Sequence, residues 1–184
     1  MSLTKIVGQF FKPRQYALEK HYTQPEALQE AVLRHLLERG SNTEYGRNHL
    51  LSPKNSYEEF AKNVPINTYE ELKRDIDRMR HGEADVLWPG QVQWYAKSSG
   101  TTNDKSKFIP VSAEGLHDIH YQGGKDVVTF YLRNNPNSRL FDGKSLILGG
   151  SHSPTSNVDG SLVGDLSAII LEKINPLVHL IRVH

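Results

Sequence analysis

A chain of 184 residues with 22 basic and 21 acidic side chains carries a formal net charge of +1, so no global field draws it to nucleic acid or to an anionic membrane surface, and neither is expected as a partner. The absence of cysteine removes disulfides, thiolate zinc sites and cysteine nucleophiles in one step. A hydrophobic share of 37% against 23% charged suits a globular domain with a real core, and because the apolar stretch near the N-terminus is too short for a signal peptide and no run reaches membrane-spanning length, the expected location is cytoplasmic.

In chain order, the first clear helix runs from Thr23 to Gly40. Thr23 is placed to cap, Pro25 and Glu26 suit the first turn, and Gly40 closes the helix. Leu28, Ala31, Val32 and Leu36, with Ala27, form an apolar stripe that predicts a core-facing side. Residues 41–56 are polar and rich in Asn, Ser and Pro, which reads as a loop before a short helix capped by Ser56 and ended by Pro65. Thr68 and Glu71 have capping-box spacing, so Tyr69 to Arg80 is a third helix, stopped by Gly82 and largely solvated because its charges alternate.

After Trp88-Pro89-Gly90 the composition changes. Val92 to Lys97 and Lys107 to Val111 have the β-branched and aromatic content of strands. Ser112 then caps a long helix from Ala113 to about Arg133, with Leu116, Ile119, Val127, Val128, Phe130 and Tyr131 as its apolar set and Gly123-Gly124 as the expected kink. Ser145 to Gly150 reads as a buried strand, residues 151–161 as a loop, and Leu162 to Ile174 as a helix. The apolar tail from Leu177 to Val183 has no polar cap, which predicts a sheet continuing past His184. The expected fold is mixed α/β, with residues 1–90 mainly helical and residues 91–184 forming strands and helices around one loop.

That loop carries the chemistry. Ser98-Ser99-Gly100-Thr101-Thr102 lies between two predicted strands, followed by Lys105 and Lys107. Hydroxyls and backbone N–H groups around a glycine are what polyphosphate oxygens require, and a lysine adds a compact positive charge. The same residue types also build ordinary polar turns. Spacing excludes two familiar phosphate loops: a Walker pattern starting at Gly100 needs glycine and lysine where Lys105 and Ser106 stand, and a dinucleotide fingerprint needs three glycines where only Gly100 is present.

The stretch YAKSSGTTNDKSKFIPVS resembles the phosphate loop of the adenylate-forming superfamily (acyl-CoA synthetases and luciferases), most closely that of the auxin-responsive acyl-acid amido synthetases. The match is carried by Ser98 to Thr102, Lys107 and Pro110. The resemblance implies the N-terminal portion of an adenylation domain that uses ATP and Mg²⁺, a carboxylic acid and an amino acid. A carboxylate would attack the α-phosphate, pyrophosphate would leave, and an amino group would then take the acyl group. Ser98, Ser99, Thr101 and Thr102 would donate hydrogen bonds to the phosphates, Gly100 would permit close approach, and Lys107 would counter the charge on the leaving group. Where many relatives have glycine after the threonines this chain has Asn103-Asp104, and the family's later adenine and ribose motifs have no match before His184. The resemblance therefore implies a segment inactive by itself. Two other readings stand beside it: a non-catalytic module binding nucleotides or polyanions, and a structural domain with a polar turn.

The remaining candidates favour structural roles. His117 and His120 lack a third metal ligand at helical spacing, so no metal site is assigned. His152 follows a glycine turn at a strand end, where ligands bind in open α/β sheets. Trp88, Trp94 and Tyr95 read as core rather than as an acyl pocket. The cations Lys73, Arg74, Arg78 and Arg80 interleave with acids on a solvated helix face, and no Gly-x-Ser-x-Gly elbow marks a hydrolase.

Overall fold

Local helix signals dominate the first half of the chain, and the computed structural model, which describes residues 2–98, 106–146, 150, 155–156, 160–172 and 182–183, follows most of them. Helix α2 (Pro25–Gly40) matches the first predicted helix. Helix α4 (Tyr57–Asn63) begins at Ser56, whose Oγ accepts from the Glu59 N–H at 3.2 Å while the Glu59 carboxylate accepts from the Ser56 N–H at 2.8 Å. It stops one residue before Val64, which precedes Pro65 and is extended, as a pre-proline residue prefers. Helix α5 (Tyr69–Arg80) starts where the Glu71 carboxylate accepts from the Thr68 N–H at 2.6 Å, and Gly82 follows it at φ +87°.

Two helices were not expected. Helix α1 (Leu3–Thr23) includes Thr23, so that residue ends one helix rather than capping the next. Pro13 inside α1 removes a backbone donor and hides the helix from a local reading. Tertiary contacts hold it instead: α1 packs on α6 (Gln122–Asn134), where Arg14 donates to both Asp126 carboxylate oxygens at 2.6 and 2.8 Å. Helix α3 (Glu44–Asn48) lies within the predicted loop and is capped by Thr43, whose Oγ1 accepts from the Gly46 N–H at 2.9 Å.

Other expectations are corrected. In α2 the buried residues are Leu37 and Gly40, while Val32 and Leu36 are exposed; the turn after Gly40, which sets that residue against Leu51, fixes the inward side of the helix. Helix α5 is more than a solvated face, since Ile76 and Met79 are buried. The long helix is irregular over Gly115–Tyr121, where the turns are π-helical, and Gly123-Gly124 lie in the regular α6 beyond it. Leu116 is buried as expected, yet Ile119 and Val127 are exposed and Thr129 takes the buried position.

The strands form two sheets. In the larger, β1 (Trp94–Lys97) pairs antiparallel with β2 (Phe108–Val111) and parallel with β5 (Leu162–Gly164), and β4 (Thr155–Ser156) lies antiparallel to β5, giving the order β2-β1-β5-β4. The smaller joins β3 (Ser145–Leu146) and β6 (Arg182–Val183) in parallel. Residues 162–174 are thus not one helix. Gly164-Asp165 interrupts the apolar run, its first part pairs with β1, and α7 (Leu166–Glu172) begins after the break. Leu146 is exposed, against the expectation of a buried strand, and 147–149 lie outside the described residues. A short strand, β4, occupies part of the predicted 151–161 loop.

Alternation along β1 serves two cores. Tyr95 is fully buried with Met79, Val86, Val92 and Val163, while Trp94 and Ala96 pack with Ile169 on the other face. The first core is covered by α5 and the second by α7, so the larger sheet is sandwiched between helices. The described residues divide into two compact units, one from Met1–Pro25, Glu114–Gly149 and Ile170–His184, the other from Glu26–Ala113 and Gly150–Ile169.

In the first unit, Asp142 caps α1 from 138 residues away. Its Oδ1 accepts from the Thr4 N–H at 3.0 Å, the Ser2 hydroxyl at 2.7 Å and the Thr4 hydroxyl at 3.0 Å. The Thr4 N–H, with these hydroxyls and Arg139, holds the carboxyl well below the usual carboxylate range. A carboxylate whose pKa is depressed on folding contributes stability above its unfolded pKa of about 3.9 and loses it as pH falls through the folded value. Asp142→Asn is therefore expected to lower the urea midpoint at pH 7 and to lower it by less at pH 2, where part of the contribution is already lost. An equal loss at both pH values would show that shape, not charge, is what Asp142 supplies.

Candidate functional site

Antiparallel pairing of β1 with β2 sets Lys97 opposite Phe108 and brings Ser98 and Lys107, which follow β1 and precede β2, together at a neck. There the Ser98 N–H donates to the Lys107 carbonyl at 2.9 Å, and the Lys107 N–H donates to Ser98 Oγ at 3.1 Å. Two of the sequence-predicted residues, Ser98 and Lys107, therefore stand side by side. The others, Ser99, Gly100, Thr101 and Thr102, lie outside the described residues, as do Asn103, Asp104, Lys105, Gly149 and His152.

The neck sits at the carboxyl end of a parallel strand pair. β1 leaves the sheet at Ser98, and its parallel neighbour β5 leaves at Asp165. Strand ends of this kind are where open α/β sheets receive ligands. Gly150 meets the same end: its N–H donates to Ser167 Oγ at 2.8 Å, and a Cβ built there would lie 2.5 Å from Asp165 Cβ and 2.3 Å from Asp165 Oδ2. No other residue could bring the backbone so close.

Helix α5 grips β2 from the side. Tyr69 Oη accepts from the Phe108 N–H at 2.9 Å, and the Tyr69 ring centroid lies 5.3 Å from Lys107 Nζ. The Arg80 guanidinium stacks on the Phe108 ring at 3.6 Å. Neither Tyr69 nor Arg80 was singled out for this site from sequence. Their spacing of 11 residues puts both on one helix stripe, but what that stripe meets depends on the fold.

The other candidates take structural places. Trp94 and Tyr95 are in the cores described above, and Trp88 packs against the first of them under Arg39. His117 is exposed, with Nδ1 2.7 Å from Asp118, and His120 is exposed on the same helix. Of the basic cluster, Lys73 pairs with Asp77, Arg80 lies 3.3 Å from Asp77, and Arg78 joins Glu44 of α3 through two hydrogen bonds of 2.9 and 2.6 Å while also pairing with Asp75 and Glu83. Arg78 thus ties α5 to α3 rather than facing a ligand.

Comparison with known proteins gives a consistent picture. The model of the GH3 family N-terminal domain matches residues 14–182. Among characterised relatives, indole-3-acetic acid-amido synthetase GH3.15 of Arabidopsis thaliana is 36% identical over 100 residues, 54% of this chain and 17% of that protein. Indole-3-acetic acid-amido synthetase GH3.2 of the same plant is 34% identical over 100 residues, covering 54% and 18%. Among solved structures, the GH3.15 acyl acid amido synthetase superposes with a TM-score of 0.72 at 27% identity, over 86% of this chain and 28% of that one. A structure of the same synthetase in complex with 2,4-DB gives 0.70 at 27% identity over 81% and 26%. In every case the chain spans less than a third of the relative's length.

Proposed function

The chain belongs to the GH3 family, and from that premise we propose that it forms the phosphate-binding part of an ATP-dependent acyl-acid amido synthetase. The supporting observation is the neck, where the motif's first serine and its lysine are hydrogen-bonded together at the carboxyl end of β1, beside the end of the parallel strand β5.

In this reading a substrate carboxylate, already ionised and nucleophilic at neutral pH, attacks the α-phosphorus of ATP. The bond from that phosphorus to the bridging oxygen breaks, and pyrophosphate leaves with the electron pair. An amino acid's amine then attacks the acyl carbon, AMP departs and the amine's proton passes to solvent. No protein nucleophile is needed in the first step. The protein's work there is to bind the polyphosphate and stabilise charge as it moves onto the leaving group. Ser98 Oγ accepts from the Lys107 N–H and keeps its own proton to donate to a phosphate oxygen. Lys107 supplies the positive charge, and Ser99, Gly100, Thr101 and Thr102 complete the cradle.

Among the described residues no group of three or more His, Cys, Asp or Glu side chains gathers to hold a metal. The Mg²⁺ of this reading would keep several waters and enter on the substrate phosphates rather than in an all-protein cage. When bound, the ion would neutralise charge on the leaving pyrophosphate. The partners in this reading are small-molecule carboxylic and amino acids, and the location we propose is the cytoplasm. No described helix is long and apolar enough to cross a membrane.

The test is exchange of labelled pyrophosphate into ATP by the full-length protein. Exchange is expected only when a carboxylic acid is present, with amide product on adding an amino acid. ATP binding without exchange across a panel of aryl and alkyl carboxylates would favour the non-catalytic nucleotide-binding module instead.

A further inference from the structure

Lysine loses more rotamer freedom when immobilised than almost any other residue. A loop lysine that must meet a phosphate therefore gains from being held near its working position beforehand. Lys107 is half-buried and has two such restraints. Its own N–H is taken by Ser98 Oγ, and its ammonium lies 5.3 Å from the centroid of the Tyr69 ring, within cation–π range. The same tyrosine accepts the N–H of the next residue, Phe108, at 2.9 Å. One side chain thus contacts both the lysine's charge and the backbone from which that lysine projects.

Tyr69 is itself fixed. It is the first residue of α5, directly after Thr68, whose N–H and hydroxyl both bond the Glu71 carboxylate, at 2.6 and 2.8 Å. At the far end of the helix Arg80 covers the Phe108 ring, and between them Ile76 and Met79 are buried. Helix α5 is therefore locked against β2 at both ends.

We infer that Tyr69 is a positioning residue for Lys107: its ring holds the ammonium and its hydroxyl oxygen holds the Phe108 amide, so that the lysine is presented at the loop neck before any phosphate arrives. This rests on the reading of Lys107 as the charge stabiliser.

The geometry is tested without activity. In the chain itself the Lys107 Hε resonances are expected to be shifted upfield by the Tyr69 ring current and to return toward ordinary lysine values in Tyr69→Leu, while Tyr69→Phe keeps the shift. Lys107 resonances at ordinary positions in the native chain would overturn the proposal. The consequence is tested by a double-mutant cycle on pyrophosphate exchange in the full-length protein. Tyr69→Leu is expected to slow exchange roughly five-fold, as loss of a cation–π contact would, with Tyr69→Phe retaining most of the rate. In the Lys107→Ala background Tyr69→Leu should have no further effect. If Lys107→Ala slows exchange and Tyr69→Leu either does nothing or slows it equally in both backgrounds, Tyr69 does not act through the lysine and the proposal fails. If Lys107→Ala alone leaves exchange intact, what fails is the underlying role of Lys107.

Discussion

Lys107→Ala is expected to lower carboxylate-dependent pyrophosphate exchange by the full-length protein by about ten- to a hundred-fold, at or below the roughly hundred- to thousand-fold typical for removal of one preorganised donor facing developing charge. The loss should appear mainly in the maximal rate, because in the proposed reaction charge builds on the pyrophosphate as the bond to the α-phosphorus breaks, and an interaction that strengthens in the transition state acts on turnover more than on ground-state affinity. Lys107→Arg should recover only part of the rate. A planar fork does not replace a compact ammonium, and the side chain must leave a half-buried place beside the Tyr69 ring. The hydrogen bonds between residues 98 and 107, which use the Lys107 backbone with the Ser98 backbone and Oγ, do not depend on the side chain at 107, so both variants are expected to fold, with far-ultraviolet circular dichroism as the check. Exchange in Lys107→Ala equal to that of the parent protein would remove this lysine from the site.

What was legible in the sequence was what local chemistry decides. Thr68 with Glu71 marked a helix start because both halves of the capping box are three residues apart in the chain. Trp94-Tyr95-Ala96 and Phe108-Ile109 announced strands by their composition, whereas their antiparallel pairing, which sets Ser98 beside Lys107, is seen only in the structure. What was hidden depends on contacts far apart in the chain. Pro13 speaks against α1, and contacts far along the chain, among them packing on α6, Arg14 with Asp126 and the Asp142 cap, hold that helix. The run from Leu162 to Leu171 had helical spacing, but β1 recruits its first three residues as a strand, and Gly164-Asp165 supplies the break. Tyr69 illustrates the same limit within the site. Its position after a capping threonine reads as a helix start, whereas its part in holding Lys107 follows from α5 lying along β2.

Gly46→Ala is expected to destabilise the protein by about 3 kcal/mol, the upper end of the usual cost of overpacking. A Cβ at this position would lie 2.0 Å from the Gly40 carbonyl oxygen, 2.8 Å from its carbon and 3.1 Å from Thr43 Oγ1. Two of these atoms are backbone and cannot swing aside. The third is committed, since the buried Thr43 hydroxyl donates to the Gly40 carbonyl at 2.7 Å while accepting from the Gly46 N–H at 2.9 Å. Relief by moving α3 outward would break further bonds: Glu44 and Tyr45 donate their N–H groups to the carbonyls of Asp85 at 2.7 Å and Val86 at 3.0 Å, and Val86 belongs to the core beneath β1. The strain therefore spreads toward the sheet that carries Ser98 and Lys107 rather than staying in a surface turn. Gly123→Ala is the matched control. A Cβ there meets nothing within 4 Å, and replacing a glycine inside α6 should stabilise by about 0.5–1 kcal/mol. Urea unfolding of the two variants should thus shift in opposite directions. A Gly46→Ala midpoint equal to that of the parent would mean that α3 can lift away from Gly40 at no cost, and that the hydrogen-bonded turn from Gly40 to Gly46 does not anchor it.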